Sequence, residues 1–214
     1  MRMMLTQSLH KVHRFIFTLS SLAGFSLVAL LTGTHLGSIS SLWLERLGFA
    51  PNDLQAGSVE RLFTSAVVTQ GGSAFWEAMG MTALSVGLAE WLGGTRRTLA
   101  TFWGIHLATL LAGSWVLTGL FQLSKDTGVE ELLQARDVGP SAGYFGCLGL
   151  ACGRLPGRWR GFGLLIGTAS LILAIFLPAR NGESPTVKLA ADLAHLIAFP
   201  LGWASVLIRS VKND

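Results

Sequence analysis

Ser141 and His195 are the side chains in this sequence whose types and placement allow covalent chemistry. A serine hydroxyl is a poor nucleophile until a base takes its proton, and an imidazole at the same depth in the fold supplies that base. Ser141 follows Gly139 and Pro140, a pair suited to a helix start: glycine permits the tight turn, and proline in the first turn lacks only an N–H that has no helical partner. The hydroxyl is thereby placed at a helix N-terminus, whose free N–H groups and dipole stabilise negative charge. Gly139, Ala142 and Gly143 are the candidate oxyanion or backbone supports. Asp192, three residues before His195, shares its helical face and is either an orienting partner for the imidazole or an ordinary interfacial carboxylate. A packing account stands beside the chemical one, because Gly139, Ser141, Ala142, Gly143, Gly146 and Gly149 are also what close helix contact selects.

The elements that must position this pair follow from composition. Of 214 residues, 50% are hydrophobic and only 13% charged, against roughly a quarter charged in a soluble domain. A disordered chain and an ordinary water-soluble domain are both excluded by that surplus. The net charge of +4 comes from cations scattered singly or in pairs, so no basic stripe exists and no nucleic-acid partner is expected. An all-α polytopic membrane protein is the expected class, with the lipid bilayer as its surroundings. About 20 apolar residues cross the hydrocarbon, and the gaps between charges predict six spans in a single domain over 1–214: roughly 15–37, 73–92, 98–120, 140–153, 161–179 and 190–208. The first follows a basic start (Arg2, Lys11, Arg14) without a clear small-residue cleavage site and reads as a retained signal anchor.

Charge asymmetry sets the direction. Arg2, Lys11, Arg14, Arg96, Arg97, Arg154, Arg158, Arg160, Arg209 and Lys212 fall on one side, with Asp214, whereas the opposite loops mix six cations with nine acids. The positive-inside rule then puts both termini in the cytoplasm, which suits the plasma (inner) membrane with the site facing outward. The long segment 38–72 carries Leu42, Trp43, Leu47, Phe49 and Leu54, so it is expected to lie in the outer interface rather than in water. His10 and His13 belong to the cationic N-terminus, His35 to the outer end of the first span, and His106 to the inner half of the third, pairing with a neighbouring helix. Cys147 and Cys152 point roughly 140° apart on one helix. No His, Cys or carboxylate group has metal-ligand spacing and no glycine loop reads as a phosphate cradle, so no metal and no cofactor is expected.

The fourth span is too short. Sixteen residues, Val138 to Gly153, separate Asp137 from Arg154 and reach ~24 Å at 1.5 Å per residue, less than the ~30 Å of hydrocarbon. With Arg154 at the inner interface, Gly139, Pro140 and Ser141 lie below the outer surface, where irregular backbone survives only if buried in protein or facing a wet cavity.

On these residues the chain resembles the rhomboid family of six-helix intramembrane serine proteases, from about Leu54 to Trp203. Arg61, Phe63 and Thr64 precede the second span, and Glu90, Leu92 and Gly94 close it. The serine motif G-x-S-G-x-x-[FY]-G-x-x-G is matched at Gly139, Ser141, Phe145, Gly146 and Gly149, and the histidine helix A-H-x-x-G-x-x-x-G at Ala194, His195 and Gly202, with Ala198 replacing a glycine. The resemblance implies a rhomboid-like bundle in which Ser141 attacks the scissile carbonyl of a transmembrane protein substrate and His195 shuttles the proton. It further implies that Phe145 packs on His195, and that Gly146, Gly149, Ala198 and Gly202 bring the fourth and sixth helices together.

Two features depart from the family. The H-x-x-x-N pair that helps hold the oxyanion is replaced by Ala74 and Ala78, neither of which donates a hydrogen bond. The residue before the serine, which normally offers a backbone N–H, is Pro140, which has none. Glu77 and Ser73, beside the two alanines, come into play only if the helix is rotated. Two functions stay open: an intramembrane serine peptidase with a Ser/His dyad, or a catalytically inactive rhomboid-like protein that binds transmembrane clients. Pro200, inside the sixth span, is expected to kink the helix just past His195.

Overall fold

The computed structural model describes residues 13–179 and 185–207. Arg2, Lys11, Arg180, Glu183, Arg209, Lys212 and Asp214, on which part of the charge asymmetry rests, lie outside the described residues, as does His10. Within them every regular element is helical, apart from two isolated antiparallel bridges, Ser38 to Gly71 and Phe49 to Asp137. The helices are α1 (Ile16–Thr32), α2 (Ser41–Leu47), α3 (Arg61–Thr64), α4 (Ser73–Met81), α5 (Gly87–Gly93), α6 (Thr95–Ser124), α7 (Thr127–Gln134), α8 (Ser141–Gly153), α9 (Trp159–Ile175) and α10 (Pro185–Ala204). A π-helical segment, Thr82–Val86, joins α4 to α5. Thr95–Ser124 and Val187–Ala204 are long and apolar enough to cross a membrane, and Ile16–Thr32 and Trp159–Ile175 are apolar but shorter.

Helices occupy all six predicted apolar stretches, with shifted ends. The first stops at Thr32 rather than 37, because Gly33 takes a left-handed conformation (φ 77°) and the chain turns back to pair with Gly71 and Gly72. The third runs on to Ser124, and the sixth begins at Pro185 and is helical to Ala204, short of the expected 208.

At the centre stands α8. Its 13 residues reach only ~20 Å, and Ala142, Gly143, Gly146, Cys147, Gly149, Leu150, Ala151 and Gly153 are all buried. It packs against α10, α6, α9, α5 and the π-helical segment, so small residues on every side make it a core helix. Its Cys147, Leu150 and Ala151 form the hydrophobic core together with Phe17, Phe25, Val86, Ala89 and Phe102.

The segment between α1 and α4 folds onto this bundle. Phe49, expected at the interface, is instead buried at 3% exposure, because its N–H and carbonyl pair with the carbonyl and N–H of Asp137 at 3.0 and 2.9 Å. Asp53 holds the same junction: one carboxylate oxygen accepts from Arg61 Nη1 at 2.9 Å and the other from Arg136 Nη1 at 2.7 Å and Ala50 N at 2.8 Å. Partial burial pulls the Arg136 pKa down, but its hydrogen bonds to Asp53 and Glu45 win and raise it, so the Arg136 guanidinium stays charged. Asp53→Ala removes the carboxylate partner of Arg61 and leaves Arg136 only the exposed Glu45 and the Gly48 carbonyl, and is expected to cost about 3 kcal/mol in thermal unfolding. Glu45→Ala, at an exposed carboxylate on the same Arg136, is expected to change stability by less than about 1 kcal/mol.

His106 pairs with a neighbouring helix, as expected, and that helix is the short α3. It is 2% exposed and its Nε2–H donates to the Leu62 carbonyl at 3.0 Å. His35 Nδ1–H donates to the Ala29 carbonyl at 3.0 Å, which satisfies a free acceptor at the end of α1.

Candidate functional site

The turn ahead of α8 is built by one glycine. Gly139 has φ 148°, a conformation that L side chains rarely adopt, and its N–H donates to the Ser65 carbonyl at 2.8 Å. That bond ties the serine loop to the 3₁₀ turn Ser65–Val67. Its consequence corrects one expectation: Gly139 supports the loop, but its N–H is used and does not serve an oxyanion. Pro140 occupies the cap position just before the helix rather than its first turn (φ −76°, ψ 9°). Its carbonyl accepts from Tyr144 N at 3.0 Å. Ser141, Ala142 and Gly143 precede that bond, so their N–H groups are those a helix leaves free at its start.

Ser141, Phe145 and His195 line one cavity of about 420 Å³, together with Gly139, Pro140 and Asp192. Phe145 lies one turn after Ser141, and its ring rests on the imidazole, with centroids 4.5 Å apart and planes inclined by 35°. That contact fixes the imidazole on the face of α8 that carries the hydroxyl. Among the described residues no hydrogen bond joins Ser141 to His195, a common condition of sites without substrate. Asp192 bonds to Lys188, whose Nζ also donates to the Ala174 carbonyl at 2.8 Å. The carboxylate is therefore held by a lysine one turn away, and the ring that positions His195 is Phe145.

The approach of α8 to α10 is closest where glycine meets glycine. A Cβ on Gly202 would stand 1.9 Å from the Gly146 carbonyl oxygen, and one on Gly149 2.0 Å from that of Phe199. Gly143 and Gly146 also turn toward α6, where a Cβ would meet Phe102 at 2.7 Å and Ile105 at 2.8 Å. Ala198 is fully buried. The stripe therefore serves two neighbours, α6 and α10.

Ala74 and Ala78 both line the cavity, so the wall opposite α8 presents methyl groups at those positions. Glu77 lines it as well. Four polar lining residues escaped sequence reasoning: Thr69 and Gln70 from the extended segment before α4, Tyr144 from α8 and Lys188 from α10. The Lys188 to Asp192 spacing of four was a visible signal; Thr69 and Gln70 carry no periodic one. No family model matches the chain, and neither does any curated protein or solved structure.

Proposed function

We propose that this chain is a rhomboid-like intramembrane serine peptidase, a six-span bundle with cytoplasmic termini that cleaves transmembrane protein substrates near the outer leaflet. One observation carries the reading: Ser141 at the head of a short buried helix and His195, seated on Phe145, share one cavity. In the reaction Ser141 Oγ bonds to the scissile carbonyl carbon while the carbonyl π pair moves onto oxygen and the hydroxyl proton passes to His195. Collapse of the intermediate breaks the C–N bond, and His195 returns the proton to the leaving amine. Water then repeats the sequence and frees Ser141. The N–H groups of Ser141, Ala142 and Gly143 supply backbone stabilisation to the oxyanion.

A second reading, a catalytically silent protein that binds transmembrane clients in the same cavity, draws on Ala74 and Ala78 in its wall and on the missing N–H of Pro140. Reaction of the detergent-solubilised protein with a fluorophosphonate probe separates the two. The peptidase reading expects labelling of wild type that Ser141→Ala abolishes and His195→Ala reduces by ~1000-fold or more. Folded wild-type protein that never labels supports the client binder instead.

A further inference from the structure

Arginines that stand apart in the sequence meet at the end of the bundle away from Ser141. Arg154 caps the last turn of α8, ~20 Å from its start at 1.5 Å per residue. A Cβ on Gly93 would lie 3.6 Å from Leu150 Cδ2 and 3.8 Å from Arg97 Cδ, so the first turn of α6 sits against the last turn of α8. Arg97 Nη2 donates to the Ser205 carbonyl at 3.5 Å, just past the end of α10. The indole of Trp203 joins the other two arginine positions. Its Cδ1 is 3.4 Å from a Cβ built on Gly153, and its Nε1–H donates to the Arg160 carbonyl at 3.2 Å. Residues 154 and 160 therefore flank one indole edge, close enough for two arginine side chains to share one ligand.

Among the described residues no carboxylate pairs with these arginines. The ion pairs found there join Arg61, Arg136 and Lys188 to acids, and both oxygens of Glu90 are engaged by α1 and Thr95. Arg154 and Arg160 are partly buried, and the Nε of each is buried without a hydrogen-bond partner, whereas Nη1 and Nη2 stay open to solvent. Each guanidinium thus loses water along one edge and gains no counter-charge from the protein, a cost that a bound anion offsets. The open edge is a planar fork that matches phosphate oxygens. Apolar surface adjoins the charge. Trp159, more than half exposed, lies 5.6 Å from the Arg158 guanidinium, and exposed Phe162, Leu165 and Ile166 continue from it along α9. Tryptophan beside arginine is the pairing found at headgroup depth, with hydrocarbon beyond it.

We propose that Arg154 and Arg160 hold the phosphate headgroup of an anionic phospholipid whose acyl chains lie along α9. Arg97 fixes the end of α10 that the two arginines border. Charge and apolar surface select this occupant together: free phosphate uses the arginines alone, and a zwitterionic lipid brings a cation of its own to them. In the proposed topology this end faces the cytoplasmic leaflet, which carries the anionic lipids. The site rests on the chain lying in a membrane and is independent of the chemistry at Ser141 and His195.

Native mass spectrometry of the detergent-solubilised protein, titrated with phosphatidylglycerol, phosphatidylcholine or inorganic phosphate, tests the site. One phosphatidylglycerol is expected to bind ~30-fold more tightly than phosphatidylcholine, the effect of two arginines at a headgroup, and millimolar inorganic phosphate should not displace it. Arg154→Gln combined with Arg160→Gln should erase that preference. Arg154→Lys combined with Arg160→Lys, which keeps the charge without the fork, should retain part of it. Arg46→Gln, exposed on α2, should leave binding unchanged. If the double glutamine variant fails to fold, Arg160→Gln alone is expected to weaken phosphatidylglycerol by ~5-fold, and rising ammonium acetate should weaken wild type in the same titration. Equal binding of the two lipids by folded wild type, or an undiminished preference in the glutamine variants, overturns the site. Arg96→Gln, at an exposed arginine of the same end, as costly as Arg160→Gln also overturns it, since a diffuse charged face then accounts for the binding. Displacement by inorganic phosphate overturns the lipid as occupant.

Discussion

Gly202→Ala should remove fluorophosphonate labelling and lower the unfolding temperature sharply, although it adds a single methyl group. That methyl would sit 1.9 Å from the Gly146 carbonyl oxygen, 2.6 Å from its carbon and 2.8 Å from its Cα. All three atoms are backbone, so no side chain can turn aside; α8 and α10 must separate by more than an ångström. Overpacking of a core commonly costs ~1 to 3 kcal/mol, and a clash with rigid backbone belongs at or above the upper end. The separation also draws Ser141 and His195, on opposite sides of this seam, apart by more than the proposed proton transfer tolerates. Gly149→Ala, which meets the Phe199 carbonyl oxygen at 2.0 Å, should behave alike. Gly104→Ala in α6, where nothing lies within 4 Å, is the control: it should leave labelling intact, with stability unchanged or raised by up to about 1 kcal/mol from helix propensity. Equal unfolding temperatures for Gly202→Ala and wild type would refute the glycine seam as the determinant of the site.

The seam was readable in the sequence because its information is local. Gly146, Gly149 and Gly202 stand at helical spacing within apolar runs, and the short distance from Asp137 to Arg154 marks α8 as a helix that ends inside the bundle. Apolar length alone placed the helices, since that quantity is summed along the chain. Pairings across long separations are not summed that way. Arg136 and Asp53 meet across 83 positions, and either residue alone reads as an ordinary loop charge. Phe49 looked like an interfacial aromatic because its burial follows from a backbone bridge to Asp137, which no side-chain pattern announces. Gly139 was placed correctly as a turn residue, but the Ser65 carbonyl that takes its N–H lies in a segment with neither helical nor strand period. Thr69 stands in that segment too, and for the same reason had no signal.

The cavity wall around Ser141 and the folded segment between α1 and α4 therefore form one unit. The Asp53 clamp and the bridge between Phe49 and Asp137 hold the approach to α8, and the Gly139 bond continues that hold to within two residues of Ser141. A chain whose serine helix was fixed only by its glycine contacts would leave the helix start free to shift. Here the start is tied from the opposite side, so the placement of Ser141 is determined at both ends of its turn.

Glu90→Ala should be among the most destabilising single substitutions, by about 4 kcal/mol, because it leaves buried donors without acceptors. Glu90 is 2% exposed and accepts four hydrogen bonds: from Phe17 N at 3.0 Å, Thr18 N at 2.9 Å, Thr18 Oγ1 at 2.7 Å and Thr95 Oγ1 at 2.6 Å. Phe17 and Thr18 open α1, whose own cap residue, Phe15, has no side chain able to accept. The carboxylate of a distant helix thus caps α1, opposite the positive end of its dipole. It also ties α1, α5 and the start of α6 at one point. Glu90→Gln keeps one acceptor oxygen and turns an amide donor toward the others; the two threonine hydroxyls can rotate to accept, whereas the backbone N–H it faces cannot. Its expected loss is roughly half that of alanine. Thermal unfolding in one detergent should rank wild type above Glu90→Gln above Glu90→Ala. Glu131→Ala, at an exposed residue of α7, should fall near wild type. A Glu90→Ala protein as stable as wild type would mean that α1 holds its place by apolar contact alone, and the capping role would be lost.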